Sequence, residues 1–211
     1  MALGRVRMEI GHMGDIIAGM FATLKQGVND RDREKCETVL KMDDQVDILH
    51  DAILDYLSEL RQEPLTDHQS EEFQALMSAS INLEKLADVI ETELLAIGKG
   101  FIDLSGEPSE ASRTLLHDLG NKISQAIEDV TKAIREEDER AAEQVIALKD
   151  EIRRIAEQFL ARQTERIGVR EGDHLELVRL ELELLDKLRR IYTLAKRVAK
   201  DFVPKEVASK V

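Results

Sequence analysis

Apolar residues recur every three or four positions along most of this chain, which is the spacing of amphipathic α-helices. The clearest stripe consists of Val39, Met42, Val46, Leu49, Ile53, Tyr56 and Leu60. A second stripe with the same alternation consists of Val145, Leu148, Ile152, Ile155 and Phe159. Apolar positions that alternate between three and four residues apart are typical of helices packed in a bundle. The hydrophobic pattern therefore predicts an all-α protein.

Breaks in the pattern divide the chain into six predicted helices joined by short loops. The helices span about Ala2–Val28, Arg31–Arg61, Asp67–Lys99, Glu110–Arg135, Asp138–Arg166 and His174–Phe202. Thr66 or Asp67 has a side chain suited to capping the third helix. Ser105-Gly106-Glu107-Pro108 is the one clear linker. Because the connections are short, we expect consecutive long helices to lie antiparallel.

The second half of the sequence repeats the first. An offset of 106 residues places Gly14-Asp15-Ile16-Ile17 on Gly120-Asn121-Lys122-Ile123. In the third helix of each half the offset is 102, which places Asn82–Leu86 on Leu184–Leu188. A difference of this size fits in a loop, where changes of length cost little. We expect two tandem three-helix repeats packed about a pseudo-twofold axis. They cover about residues 1–104 and 109–203 of a single domain, residues 1–211.

The composition agrees with long helices and limits the partners. Charged residues make up 35% of the 211 residues and aromatic residues only 3%, which argues against a sheet. The net charge of −13 repels phosphodiester backbones, so we expect no nucleic-acid partner. The single cysteine, Cys36, excludes an intrachain disulfide and agrees with a cytoplasmic location. No stretch reaches the roughly 20 apolar residues of a membrane span.

Two acidic pairs form the strongest candidate for a site. Asp43 and Asp47 lie four residues apart in the second predicted helix, and Glu84 and Asp88 have the same spacing in the third. Residues four apart share one helix face, and like charges there repel each other, so a cation between them would relieve a cost. Four carboxylates suit iron, manganese, magnesium or calcium. The alternative is a solvated acidic stripe that binds nothing, since the chain has 43 acidic residues.

Catalytic chemistry has weaker support in the sequence. Asp47 and His50 have the acid-x-x-His spacing of di-iron bundles, but such sites need two of these motifs and the sequence holds one. There is no glycine-rich phosphate loop and no convincing nucleophile–base arrangement. We therefore expect no enzymatic activity, and a ferritin-like di-metal oxidase is the alternative.

The sixth predicted helix is basic against this acidic background. Its cationic residues are Lys187, Arg189, Arg190, Lys196, Arg197 and Lys200. One interpretation is a solvated face whose charges pair with Glu181 and Glu183. The other interpretation is a surface for an acidic partner or for the anionic leaflet of a membrane.

Two three-helix repeats with acid-x-x-x-Asp motifs on the second and third helices resemble PhoU proteins. Residues 82–88, Asn-Leu-Glu-Lys-Leu-Ala-Asp, are similar to the Leu-Glu-Arg-Ile-Gly-Asp element of that family, and the resemblance covers nearly the whole chain. It implies metal clusters, often of iron, on the bundle surface. On this match Glu84 and Asp88 are metal ligands, and so are Asp43 and Asp47. The resemblance also implies a regulatory or scaffolding domain of phosphate uptake that has no chemistry of its own.

The second repeat departs from this motif. Its residues at the four corresponding positions are Lys149, Arg153, Asp186 and Arg190. Their formal charge is +2, against −4 for the first set, so we expect at most one metal cluster per chain, bound by the first repeat. We expect Asp186 to pair with Arg190 one turn away, or with Arg153 or Lys149 across the interface.

This loss of acidic residues resembles the C-terminal cytoplasmic PhoU-like domain of sodium/phosphate cotransporter-like proteins. Residues Leu185–Tyr192, Ala195–Arg197 and Met8–Asp15 are similar to that branch. The resemblance implies a cytoplasmic location at the inner face of the cell membrane. It also implies a partner, the membrane domain of a phosphate transporter, in the same chain or in a separate one. A free-standing protein, a homodimer and a plain helical adaptor without metal stay open.

Overall fold

The computed structural model describes residues 2–62, 64–166 and 172–204, and the regular structure in these ranges is helical throughout. The elements are α1 (Ala2–Asp30), α2 (Arg33–Leu60), α3 (Asp67–Asp88), a π-helical turn (Val89–Leu94), α4 (Leu95–Asp103), α5 (Glu110–Glu136), α6 (Glu139–Arg166) and α7 (Gly172–Asp201). Because α3, the π-helical turn and α4 follow one another without a break, these ranges form six rods. The predicted all-α architecture of six helices is confirmed.

Polar side chains at the helix starts explain where the rods begin. Thr66 accepts a hydrogen bond from the backbone of Gln69, whose side chain bonds back to Thr66, so the predicted cap of the third rod is confirmed. Asp32 caps α2 by accepting from the backbone N–H of Lys35. Ser109 caps α5 in the same way, after the predicted linker.

The predicted repeat is visible in how the helices pack. Helices α2 and α6 have equal lengths and begin 106 residues apart. Where α1 packs on α5, Gly14 faces Thr131, and a Cβ atom on Gly14 would lie only 2.3 Å from Thr131 Oγ1. Gly120 faces Lys25 in the same interface. The offset of 106 places Gly14 on Gly120 and Lys25 on Thr131, so the two pairs are equivalent under the repeat. The pseudo-twofold axis therefore runs between α1 and α5.

A single apolar core connects the two halves, and most of the predicted stripes face it. All five residues of the stripe on α6 are buried. On α2, Val39, Val46 and Ile53 are buried, together with Leu57, which the stripe did not include. Leu49, also a member of the predicted stripe, is only half-buried and packs against the margin of the core.

The third rod differs from its predicted form in two respects. It ends at Asp103 rather than near Lys99, and the π-helical turn interrupts its α-helical geometry. Before the turn, an offset of 102 matches the rod to α7. Beyond the turn an offset of 101 restores the match, since it aligns buried Ile97 with buried Val198 and half-buried Phe101 with half-buried Phe202. The turn thus inserts one residue into the first repeat, as π-helical turns do within α-helices.

Candidate functional site

The four predicted carboxylates lie along the contact between α2 and α3. Asp43 is half-buried and Asp47 is exposed, while Val46 beside them is fully buried in the core. On α3, Glu84 is half-buried and Asp88 is exposed. The acids therefore lie beside the buried residues of α2 and α3 rather than among them.

Burial and repulsion between neighbouring acids both raise the pKa of three carboxylates at this contact, Asp43, Asp47 and Glu84. Burial, followed by repulsion from Asp47 and then from Glu91, raises the pKa of Asp43 to about 7. Burial also raises the pKa of Asp47, with repulsion from Asp88 as the next cause. The pKa of Glu84 rises through burial and through the charge of Asp88. The cluster of Asp43, Asp47, Glu84, Asp88 and Glu91 is called the acid cluster below.

The acid cluster has the chemistry of a cation site but not a formed coordination geometry. Its donors are all carboxylate oxygens, the ligands of hard divalent cations. Oδ1 of Asp43 is enclosed and accepts no hydrogen bond from the described residues. Within residues 2–62, 64–166 and 172–204, however, no three Asp, Glu, His or Cys side chains converge closely enough to hold a metal ion. A cation would therefore have to draw these side chains together.

Glu91 was not among the residues predicted from the sequence. It lies in the π-helical turn, half-buried, and its charge contributes to the raised pKa of Asp43. The signal for it was present in the sequence, since Glu84, Asp88 and Glu91 are spaced by four and then three residues. That spacing keeps all three on one face of a helix.

His50, the other residue singled out in α2, is already engaged. Its Nδ1 atom lies 2.9 Å from the hydroxyl of Ser80 on α3. Ser80 is completely buried, so no substrate reaches that hydroxyl. His50 and Ser80 therefore form a polar contact between α2 and α3.

The corresponding face of the second repeat carries ion pairs, with partners that differ from those predicted. Arg190, expected to pair with Asp186, instead donates to Glu93 of the π-helical turn at 2.5 Å. Asp186 pairs with its neighbour Lys187, which also reaches Glu93 at 2.8 Å. The prediction was wrong because the π-helical turn contacts α7 and brings Glu93 within reach of these cations.

Two further expectations for this face are also corrected. Arg153 pairs along its own helix with Asp150 and Glu157 rather than across to Asp186. Glu181, expected on a solvated face, is completely buried and accepts a hydrogen bond from Gln163 at 2.8 Å. Its position follows from the helical period, which turns Glu181 towards the core.

Comparison with solved structures decides the architecture. The chain resembles PhoU from Pseudomonas aeruginosa with a TM-score of 0.87 at 16% identity, over 100% of this chain and 98% of that one. The chain has the PhoU fold. A second resemblance is to the phosphate transport system regulatory protein PhoU from Streptococcus pneumoniae, with a TM-score of 0.82 at 14% identity. That match covers 95% of this chain and 92% of that one.

Sequence comparison agrees with the fold. Residues 10–92 match the PhoU domain family, and this range includes the whole acid cluster. The chain is 23% identical over 199 residues to the "Putative inorganic phosphate export protein YjbB" of Salmonella typhimurium, and 24% identical over 203 residues to the protein of that name in Escherichia coli. It covers 36% of the length of each of these relatives. None of the helices in the described ranges is long and apolar enough to cross a membrane.

Proposed function

We propose that this chain is a non-catalytic regulatory domain of phosphate transport that acts through contact with the membrane domain of a transporter. The observation that carries the proposal is the end-to-end likeness to PhoU structures, one of which is named a phosphate transport regulator. The YjbB relatives, which match 94% of this chain, are named for phosphate export. Their name favours export over the uptake expected from the sequence.

The same relatives support the finer part of the proposal, in which the domain works at the inner face of the cell membrane. Because they are nearly three times as long as the matched region, they have room for a membrane domain of the sodium/phosphate cotransporter kind. Lys196 on α7 has its pKa lowered by burial and then by Lys149 and Lys200, so these three ammonium groups lie close together. Such a group suits contact with an anionic leaflet. The single-domain organisation and a homodimer remain predictions.

Phosphate flux tests the regulatory role. Cells lacking residues 1–211 should still transport radiolabelled phosphate, but the rate should no longer respond to the phosphate supply. Expression of the chain from a plasmid should restore the response if the domain acts on a separate transporter, and should fail to restore it if the domain must be joined to one. A rate and a phosphate dependence that are both unchanged by the deletion would contradict the proposal.

We also propose that the acid cluster binds a divalent cation, with Asp43, Asp47, Glu84 and Asp88 as ligands and iron or manganese as the candidates. The enclosed Asp43 Oδ1 and the mutual repulsion of the carboxylates support it, because a cation would relieve both. Metal analysis after reconstitution is the test. The double variant Asp43→Asn with Asp47→Asn should lose the metal, whereas Asp186→Asn, at the repeat-related position of Glu84, should keep it.

The alternative is a helical adaptor without metal. The lack of a converged ligand set in the described residues favours it. Failure of the wild-type chain to retain iron, manganese, magnesium or calcium would establish the adaptor and leave the regulatory proposal standing.

A further inference from the structure

A cavity of about 550 Å³ lies between α1, α4, α5 and α7, away from the acid cluster. Its volume falls in the range that small-molecule ligands occupy in proteins. Most of its wall is apolar, with Phe21, Leu24, Ile97, Phe101, Leu184 and Leu188 among the lining residues. An apolar wall of this kind would hold a hydrocarbon or aromatic group.

Lys25 is the cation of this cavity that remains available to a ligand. It is half-buried and donates to Asn121 Oδ1 at 3.0 Å and towards Ser124 Oγ at 3.4 Å, both neutral partners. Its ammonium lies 5.6 Å from the centre of the Phe21 ring, and no carboxylate of the described residues forms an ion pair with it. Burial lowers the pKa of Lys25, and the charge of Glu128 only partly opposes this. An ammonium in such surroundings gains from an anionic partner.

The other cations of the cavity are already committed. Arg113 pairs with Glu107 at 3.5 Å. The Arg31 guanidinium donates to the backbone carbonyls of Ile102 and Leu104 at 2.6 and 2.8 Å. An anion that enters the cavity is therefore expected at Lys25.

The repeat shows that this cavity is a departure from symmetry. The offset of 106 places Arg135 at the position of Asn29, which lines the cavity. Arg135 fills the corresponding space in the other half, where it donates to the Gly11 carbonyl at 2.7 Å and to Asp15 at 2.5 Å. The shorter Asn29 leaves that space open, so this difference between the two halves contributes to the cavity.

We propose that this cavity binds an amphipathic anion, whose apolar part lies against Phe21 and Leu188 and whose phosphate or carboxylate group pairs with Lys25. The volume of the cavity suits a small molecule, its apolar wall favours a ligand with a hydrocarbon or aromatic part, and Lys25 favours a negatively charged group. The site is separate from the acid cluster and does not depend on the proposed regulatory role.

Calorimetric titration with decyl phosphate tests the charge. One molecule should bind per chain, whereas inorganic phosphate and decyltrimethylammonium should bind much more weakly. Lys25→Gln should weaken the binding of decyl phosphate about tenfold or more, as expected when a charged hydrogen-bond partner is lost. Lys41→Gln, which removes the same charge from an exposed position on α2, should leave binding unchanged. Equal binding of the cationic and anionic probes would overturn the proposal.

A filling variant tests the location. Gly120 lines the cavity, and a Cβ atom there would meet only the flexible Lys25 side chain, at 3.8 Å. Gly120→Leu should therefore fold and should exclude decyl phosphate. If that variant does not fold, methyl NMR of the wild-type chain provides the second measurement. Shifts at Ile97 and Leu188 on titration would support the site, and shifts confined to methyl groups elsewhere would refute it.

Discussion

Replacing Gly14 by alanine tests the crossing of α1 and α5 at the pseudo-twofold axis. A Cβ atom at Gly14 would lie 2.3 Å from Oγ1 and 2.7 Å from Cγ2 of Thr131. Thr131 cannot easily move away, because it is buried and its hydroxyl donates to the Ile127 carbonyl at 2.7 Å. The repeat supplies a control, since Gly120→Ala makes the same change where the nearest atoms of Lys25 are 3.8 Å away.

The two substitutions are expected to change stability in opposite directions. Alanine in place of a helical glycine gains about 1 kcal/mol from helix propensity alone. Overpacking costs about 1–3 kcal/mol, and a contact of 2.3 Å with a side chain held in place belongs to the upper part of that range, about 2–3 kcal/mol. The net change at Gly14 is therefore a loss of about 1–2 kcal/mol. For a domain of this size 1 kcal/mol corresponds to about 2–4 °C, so Tm should fall by roughly 2–8 °C. Gly120→Ala should instead raise Tm by about 2–4 °C.

Thermal and urea unfolding followed by circular dichroism measure both effects. Adding Thr131→Ala to Gly14→Ala should recover part of the loss, because it removes the two nearest atoms and leaves Cβ of residue 131 at 3.0 Å. A double-mutant cycle then isolates the coupling between the two positions. If Gly14→Ala and Gly120→Ala stabilise the protein equally, the close approach of α1 and α5 at Gly14 is wrong.

Two further predictions concern the acid cluster and the core. In protein kept free of metal by a chelator, the contribution of Asp43 to the free energy of unfolding should fall as the pH rises from about 4 to about 7. The reason is that the folded state binds the Asp43 proton more tightly than the unfolded state does. Asp43→Asn should therefore stabilise the protein more at pH 8 than at pH 5. After allowance for solvent exposure, the difference should be on the order of 1–2 kcal/mol. Urea unfolding at the two pH values measures it, and a larger gain at pH 5 would contradict the prediction. Ile53→Ala should cost about 2–5 kcal/mol and Leu49→Ala clearly less, since Ile53 is 3% exposed and Leu49 is half-buried. Equal losses in thermal melts would show that the faces of α2 are wrongly assigned.

Features that depend on local sequence could be predicted. The period of apolar residues placed all six rods, because each rod buries one stripe along its whole length. The capping residue Thr66 was recognisable, since its hydroxyl bonds within its own helical turn. The spacing of Asp43 with Asp47, and of Glu84 with Asp88, predicted that each pair shares one helix face, because residues four apart necessarily do so.

Features that depend on contacts between distant elements were missed. Arg190 pairs with Glu93, 97 residues away, and no spacing rule points to that partner. The cavity beside Lys25 depends on the lengths of side chains from four helices. The π-helical turn has one indirect signal in the sequence, the change of the repeat offset from 102 to 101 between Leu86 and Phe101.

The π-helical turn is also the place where the two halves differ in length. One extra residue accounts for it, since α7 passes through the corresponding stretch as a regular helix. Removing one residue between Val89 and Leu94 would leave the buried positions on both sides in place, because they already match the second repeat. The change would fall on the turn itself, which carries Glu91 of the acid cluster and Glu93, the partner of α7. One extra residue thus changes which charges this part of the surface presents, while the buried positions on either side keep their places.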